Sequence, residues 1–376
     1  MAATDRSTVP TADHLAGQLR EAAFVRLVAA DDGDSVAAAA LLAGTLDEAG
    51  VPYQLSVTPV TDRFECQTEA DLRVAIGRSV DATAETIGLD GPATETAHAV
   101  ATEFGVNRLD LTLAGAVAAT GHPGSDLSTA AAEAGIERRP GVGVPTADLA
   151  TGLAYSTLVV APFSGDVDAA ESAVHEAGID HGSDATTDER RKLASQVALA
   201  VAGDDAGTAR GAERIERFLR PLVGGPFETI PGYADVLETL AAEQPGLALA
   251  AALQRADRES VLDAWCGHAA SAHGAVRTAR YSRHDGFTVV RCDGTPPVDT
   301  VARLVLSYRT PEPLVLVVGD GVAAARSTGD TAVEVGSLVA QTLSEFDGKA
   351  GGTPNRGSAS FDADPTELVA AFKEAV

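Results

Sequence analysis

Three carboxylates crowd one short turn near the start of the chain. The run AADDGDSVAAAALL (residues 29–42) places Asp31, Asp32 and Asp34 around a glycine, between the apolar segment FVRLVA (24–29) and an Ala/Leu-rich stretch. Aspartate oxygens suit hard cations such as Mg or Mn. A turn of this kind at the carboxyl edge of a parallel sheet also lies where α/β proteins place ligands. The same residues equally make an ordinary turn, in which Asp and Gly shape the chain and Asp34 or Ser35 caps the following helix. An EF-hand is excluded, because the twelfth position counted from Asp31 is Leu42 and not Glu.

A second candidate lies near the other end, in GGTPNRGSASF (351–361). Gly351 and Gly352, followed by Asn355, let backbone N–H groups approach an anion closely, and Arg356 adds charge. Upstream, ARSTGD (325–330) supplies Arg326 and Ser327. Without a ligand the same segment reads as a glycine-rich hairpin. A third cluster, CGHAASAH, offers Cys266, His268 and His273, with His284 and Cys292 beyond. Zinc needs four converging ligands, and a helix sets Cys266 and His273 two turns apart, so the alternative is a helix packing its small residues. GDGVAAAR and GVGVP lack the third glycine and later acid of a dinucleotide fingerprint, and no P-loop, HExxH or G-x-S-x-G occurs.

The elements that must position these residues alternate in type. A strand at 24–29, a helix ending at Gly50 and a strand at 53–57 form a β-turn-α-turn-β unit. Further strands are predicted at 72–76 and 158–161, and helices at 94–103, 109–119 and 127–134. EAG recurs at Glu48, Glu133 and Glu176, each time after a helical pattern, as expected of left-handed glycine caps. Alternation of this kind implies a parallel sheet covered by helices. Residues 193–256 are helix-rich, interrupted by a turn-rich connector at 221–233. From Ala264 a helix leads into predicted strands FTVVRC, RLVLSY and LVLVVG, then a terminal helix PTELVAAFKEAV. The fold class is α/β: a parallel-sheet domain over 1–185, a helical connector over 186–263 and a smaller α/β domain over 264–376.

Composition limits the setting. The 376 residues carry 54 Asp+Glu against 28 Lys+Arg, a net charge of −26. Only three of the 28 are lysine, and alanine fills many apolar positions, a bias that resembles the proteomes of salt-accumulating cells. At ordinary ionic strength this charge disfavours nucleic acid, but in molar salt the Debye length is about 3 Å and the objection lapses. The balance is −19 over residues 1–185 and −7 over the rest, where Arg277, Arg280, Arg283, Arg291, Arg303 and Arg309 form the stretch best suited to meet an anion. Three widely spaced cysteines (Cys66, Cys266, Cys292), no apolar stretch of membrane-spanning length and no signal-peptide pattern lead to the expectation of a soluble cytoplasmic protein with no membrane partner.

Taken together, the two ends resemble the DHH phosphoesterase superfamily with its DHH-associated C-terminal domain, the group that contains RecJ nucleases, oligonucleotide phosphodiesterases and RecJ-like replication factors that bind GINS and the MCM helicase. That family opens with a strand, H-x-D-x-D-G-x-S and an Ala/Leu-rich helix. VAADDGDSVAAAALLAGTLDEAGV fits through Asp32, Gly33, Ser35 and the helix. It closes with an R-S-like strand and a GGGHPxAAGA loop, whose places are taken by ARSTGD and GGTPNRGSASF. The resemblance implies an N-terminal DHH-like and a C-terminal DHH-associated-like domain, with Arg326, Ser327, Gly351, Gly352, Asn355 and Arg356 in nucleic-acid contact.

The departures bear on activity. Val28 and Ala30 stand where the first motif has His and Asp, leaving Asp32 as a degenerate metal-site remnant. Ile76 and Gly77 replace the second-motif Asp, and the Asp-His-His triplet is absent, LDGP (89–92) being the nearest candidate. Ala119 and Thr120 stand at the fourth motif, and Thr353 replaces the loop histidine. Two-metal hydrolysis needs ligands that hold two ions about 4 Å apart, so no intact catalytic set, no confident metal ligand and no cofactor is expected. The leading expectation is a catalytically degenerate RecJ-like subunit of a DNA replication or repair assembly, with GINS or MCM as partners by resemblance. Two alternatives are carried: an active Mn- or Mg-dependent single-strand exonuclease or oligonucleotide phosphodiesterase, and a module that binds single-stranded DNA or RNA.

Overall fold

The computed structural model describes residues 11–376 except 63, 65–68, 79, 81, 82, 84, 181–184 and 205; Cys66 lies outside the described residues. The chain runs α1 (Ala12–Glu21), β1 (Val25–Ala29), α2 (Gly33–Ala49), β2 (Tyr53–Val57), β3 (Leu72–Ile76) and β4 (Thr86–Leu89). It continues through α3 (Ala93–Glu103), α4 (Leu109–Thr120), α5 (Ser125–Glu133), β5 (Glu137–Arg138), α6 (Leu149–Tyr155), α7 (Val167–Glu176), α8 (Thr187–Ala202) and α9 (Ala209–Arg214). β6 (Leu222–Val223), α10 (Ile230–Glu243), α11 (Pro245–Ala252) and α12 (Arg258–Thr278) lead to the last part. There β7 (Arg280–His284), β8 (Phe287–Arg291), α13 (Val298–Tyr308), β9 (Leu314–Val318) and β10 (Val322–Ser327) precede α14 (Val335–Leu343), β11 (Gly348–Thr353), β12 (Arg356–Phe361) and α15 (Pro365–Ala375).

The N-terminal sheet has order β2-β1-β3-β4 and is parallel throughout, as the alternation of strands and helices predicts. Its centre is β1, from which the chain crosses to β2 on one side and later to β3 on the other. The carboxyl ends of β1 and β3 are therefore a topological switch point, the place where open α/β sheets leave a crevice. α2 is buried along most of its length because its alanines let α3, α4 and α10 approach closely. At Gly115 of α4 the approach is so tight that a Cβ would lie 2.2 Å from Thr94 Oγ1 and 2.7 Å from Ala37 Cβ. The three EAG glycines, Gly50, Gly135 and Gly178, all take positive φ.

The C-terminal sheet is mixed, in the order β11-β12-β10-β9-β8-β7, with β8 and β9 parallel. Its parallel pair corrects one expectation. Residues 303–308 (RLVLSY), expected as a strand, lie in α13. Two adjacent parallel strands need a crossover, and a helix that packs nearly all its residues inside reads in sequence like a buried strand. Residues 158–161, also expected as a strand, have no sheet neighbour. Val159, Val160 and Ala161 are buried side by side, and Ser164 takes up local backbone groups, its Oγ accepting from the Ala161 N–H and donating to the Val159 carbonyl. Strand β4, only four residues long, has no counterpart among the elements expected from the sequence. Among the described residues no helix is long and apolar enough to cross a membrane.

One apolar core combines α1–α4 and the parallel sheet with α10 and the start of α12; another joins residues 142–218 to α13 and to one face of β8–β10. Between them sits Asp235 of α10, 1% exposed. Its carboxylate accepts the Thr157 N–H at 2.9 Å, the Thr157 hydroxyl and the Trp265 indole N–H at 3.1 Å, while Arg303 donates to the Thr157 carbonyl at 2.9 Å. Burial pushes the Asp235 pKa up, against the pull of Arg303 and these donors. Asp235→Ala leaves buried donors without an acceptor and is expected to cost about 3 kcal/mol, with Asp235→Asn costing less; denaturant unfolding of the three proteins at one salt concentration measures both.

Candidate functional site

The switch point opens into a cleft of about 1130 Å³ between the two sheets. The loop after β1 supplies Asp32, the first turn of α2 supplies Asp34 and Ser35, β3 is followed by Gly77 and Arg78, and β4 by Asp90, Gly91 and Pro92. The end of α4 adds Ala119 and Thr120, α10 adds Glu238, and the C-terminal sheet adds Arg326, Ser327, Gly352, Asn355 and Arg356. The positions singled out at the two ends of the sequence thus meet in one cleft. Gly351 lies beside it, on the contact between β11 and the loop after β2, where an added Cβ would stand 2.5 Å from the Val60 carbonyl oxygen.

The first turn of α2 is held differently from expectation. Asp32, rather than Asp34 or Ser35, is the N-cap, accepting from the Ser35 N–H at 2.8 Å. Asp34 instead caps the next helix: its carboxylate accepts the N–H groups of Ala93 and Thr94 at the start of α3, at 2.7 and 3.0 Å. Burial, then the charge of Asp32, pushes the Asp34 carboxyl up to about 7. The Gly33 N–H, an orphan donor where an anion would sit, donates to Glu238 Oε2 at 2.8 Å.

The positive groups come from the C-terminal sheet. Arg326 of β10 and Arg356 of β12 are directly opposite in register. Asp299, in the first turn of α13, bridges them, accepting from Arg326 at 2.9 and 2.6 Å and from Arg356 at 3.2 Å. Arg356 extends onward to Asp31 at 3.5 Å and Asp32 at 3.9 Å, and Arg326 lies 3.6 Å from Glu238. Although burial opposes it, the two guanidiniums hold Asp299 far below the usual carboxylate range. Burial and then Glu238 push Asp32 up, partly offset by Arg356. Arg78, buried, donates to the carbonyls of Thr58 and Asp62, so the same loop that covers Gly351 is anchored to β3. Ser327 donates its N–H to the Asn355 carbonyl at 3.1 Å, closing the β12 end of the hairpin.

These side chains do not fit the two-ion centre that the resemblance implies. Val28 and Ala30 are buried and apolar. Gly77 has φ +72, and a Cβ there would lie 1.9 Å from Ser35 Oγ, so a side chain at the second-motif position would be strained and would require the Ser35 hydroxyl to move. Among the described residues no three His, Cys, Asp or Glu side chains converge to hold a metal ion. Cys266, His268 and His273 also separate: His268 bonds Glu243 and Thr300, and His273 bonds the Ser156 carbonyl, its pKa lowered to about 4 chiefly by burial. Of the arginines between 277 and 309, Arg277 and Arg303 donate to backbone carbonyls, Arg291 donates to Thr366, and Arg280, Arg283 and Arg309 pair with Asp293, Glu312 and Asp204. Sequence reasoning missed Glu238, one polar position of α10, and Asp299, which lies in the helix whose residues 303–308 were expected as a strand.

Gly77→Ala is expected to cost roughly 2 kcal/mol, from left-handed strain together with the collision with Ser35. Adding Ser35→Ala should recover part of that loss in denaturant unfolding, and equal stability of Gly77→Ala and wild type would contradict the packing.

A family model described as "Uncharacterized protein rrnAC1427, C-terminal domain" matches residues 279–374. The Haloarcula marismortui protein described as "Uncharacterized protein rrnAC1427" is 46% identical over 380 residues, covering 100% of each chain. Among solved structures, CDC45 from Entamoeba histolytica superposes with a TM-score of 0.63 at 7% identity, over 98% of this chain and 99% of that one, so the whole fold is shared. RecJ from Thermus thermophilus, in complex with Mg²⁺, aligns at a TM-score of 0.45 and 14% identity, over 97% of this chain and 51% of that chain.

Proposed function

The chain belongs to the family of the Haloarcula marismortui protein rrnAC1427, and we propose that it serves as a non-nuclease, RecJ-like binding or scaffold subunit of a DNA replication or repair assembly in the cytoplasm. GINS and the MCM helicase are the partners that the resemblance of its two end motifs implies. Gly77 carries the proposal. Hydrolysis by two metal ions depends on carboxylates converging from several strand ends, and just after β3 a left-handed glycine packed against Ser35 stands where such a carboxylate would be needed. A retained fold with its ligand positions filled by small or apolar residues is what selection for binding leaves behind.

Two experiments test it. Purified protein in molar KCl with Mn²⁺ is expected to leave labelled single-stranded DNA and RNA intact, at the same background as Asp32→Ala. Affinity capture from lysate at native salt is expected to bring down replication proteins. Degradation abolished by Asp32→Ala would overturn the proposal in favour of an active exonuclease. Capture of no partner, together with oligonucleotide binding that Arg356→Ala weakens, would replace it with a single-strand-binding module.

A further inference from the structure

Buried charge is concentrated in the cleft. Asp31, Asp32, Glu238 and Asp299 come from three separate elements, and their ion-pair partners, Arg326 and Arg356, come from the C-terminal sheet, with Arg78 close enough to act on Asp31 and Asp32 and Arg303 on Asp299. Placing two guanidiniums opposite one another on adjacent strands is unfavourable by itself. It is stable only with anions around the pair. Asp299 lies between them, and the remaining carboxylates approach from the switch point of the other sheet. The arrangement repeats what a bound cation does: it gathers carboxylates from distant parts of the chain and offsets their repulsion. The anion position of the same site, at the first N–H of α2, is likewise taken by Glu238.

We propose that Arg356, with Arg326 beside it, is a built-in cation that does the structural work of a divalent metal, latching the C-terminal sheet onto the carboxyl edge of the parallel sheet and making closure of the cleft independent of metal ions. The inference rests on the non-nuclease proposal only in that both remove Asp32 from catalysis; its readout is stability, so either can fail alone. Arg356 is a structural bolt here, and its side chain is 10% exposed. Removing it leaves Asp31 and Asp32 without their ion-pair partner from the C-terminal sheet, a loss that burial makes large. The deficit is one of charge: Asp31, Asp32 and Asp299 each meet a different nitrogen of Arg356 and form no metal cage in the native protein, but they would line the vacated position, where a small divalent cation could offset them.

Thermal unfolding of wild type and Arg356→Ala in molar KCl, with EDTA, Mg²⁺ or Mn²⁺, tests this. Wild type is expected to melt at the same temperature in all three. Arg356→Ala is expected to melt lower by about 5 °C in EDTA and to regain part of the loss in millimolar Mn²⁺. A wild type that Mn²⁺ stabilises as much as the variant overturns the proposal, as does a variant that melts with wild type in EDTA or gains nothing from Mn²⁺. If Arg356→Ala does not fold, Arg356→Gln combined with Asp32→Asn restores the charge balance. That double variant must melt above Arg356→Gln alone. If it does not, or does not fold, the position is needed for shape and not for charge, and the proposal falls.

Discussion

Two arginines stand side by side on neighbouring strands, and the surrounding structure is arranged to make that tolerable. Arg326 and Arg356 share a register position on β10 and β12, in an interior where a guanidinium without a partner would cost several kcal/mol. Asp299 answers both, which fixes the first turn of α13 against the sheet. Asp31 and Asp32 answer Arg356 from the other side, which brings the carboxyl edge of the parallel sheet up to the hairpin. The close fit that follows leaves no side-chain space where Gly351 meets the loop after β2. Charge complementarity therefore sets the relation between the two sheets, and close packing preserves it.

This alters the meaning of the carboxylates near the N-terminus. At the switch point of a parallel sheet, acidic side chains are ordinarily available to a ligand. Here each has been given a partner from the protein itself: Asp32 caps α2 and faces Arg356, Asp34 caps α3, and Asp31 accepts the Val60 N–H. These carboxylates are a small part of the acidity of a chain whose formal net charge is −26.

Much of the fold was legible because local chemistry and global placement agree. The strand-turn-helix at β1 and α2, the glycine caps and the terminal helix follow from patterns within a few residues of each other. The segment at 303–308 was misread because a largely buried helix and a buried strand present similar apolar runs, and the parallel pairing of β8 with β9 calls for a helical crossover there. The site was half legible. Asp32, Arg326 and Arg356 stood out through residue type and neighbours, but their meeting depends on folding that brings opposite ends of the chain together. Asp299 lies in the first turn of a helix whose residues 303–308 read in sequence as a strand, and Glu238 is one polar position within the helix-rich stretch. No local signal marks either as the partner of an arginine far away in sequence.

The central claim is that Arg356 supplies, from the protein itself, the positive charge that the carboxylates at the switch point require. Anomalous diffraction from crystals grown in molar salt and soaked in Mn²⁺ tests it most directly. The account predicts side-chain density for Arg356 reaching Asp299, Asp31 and Asp32, and no anomalous peak within coordinating distance of Asp32. A manganese peak bound to Asp32, with Arg356 turned out of the cleft, would contradict it.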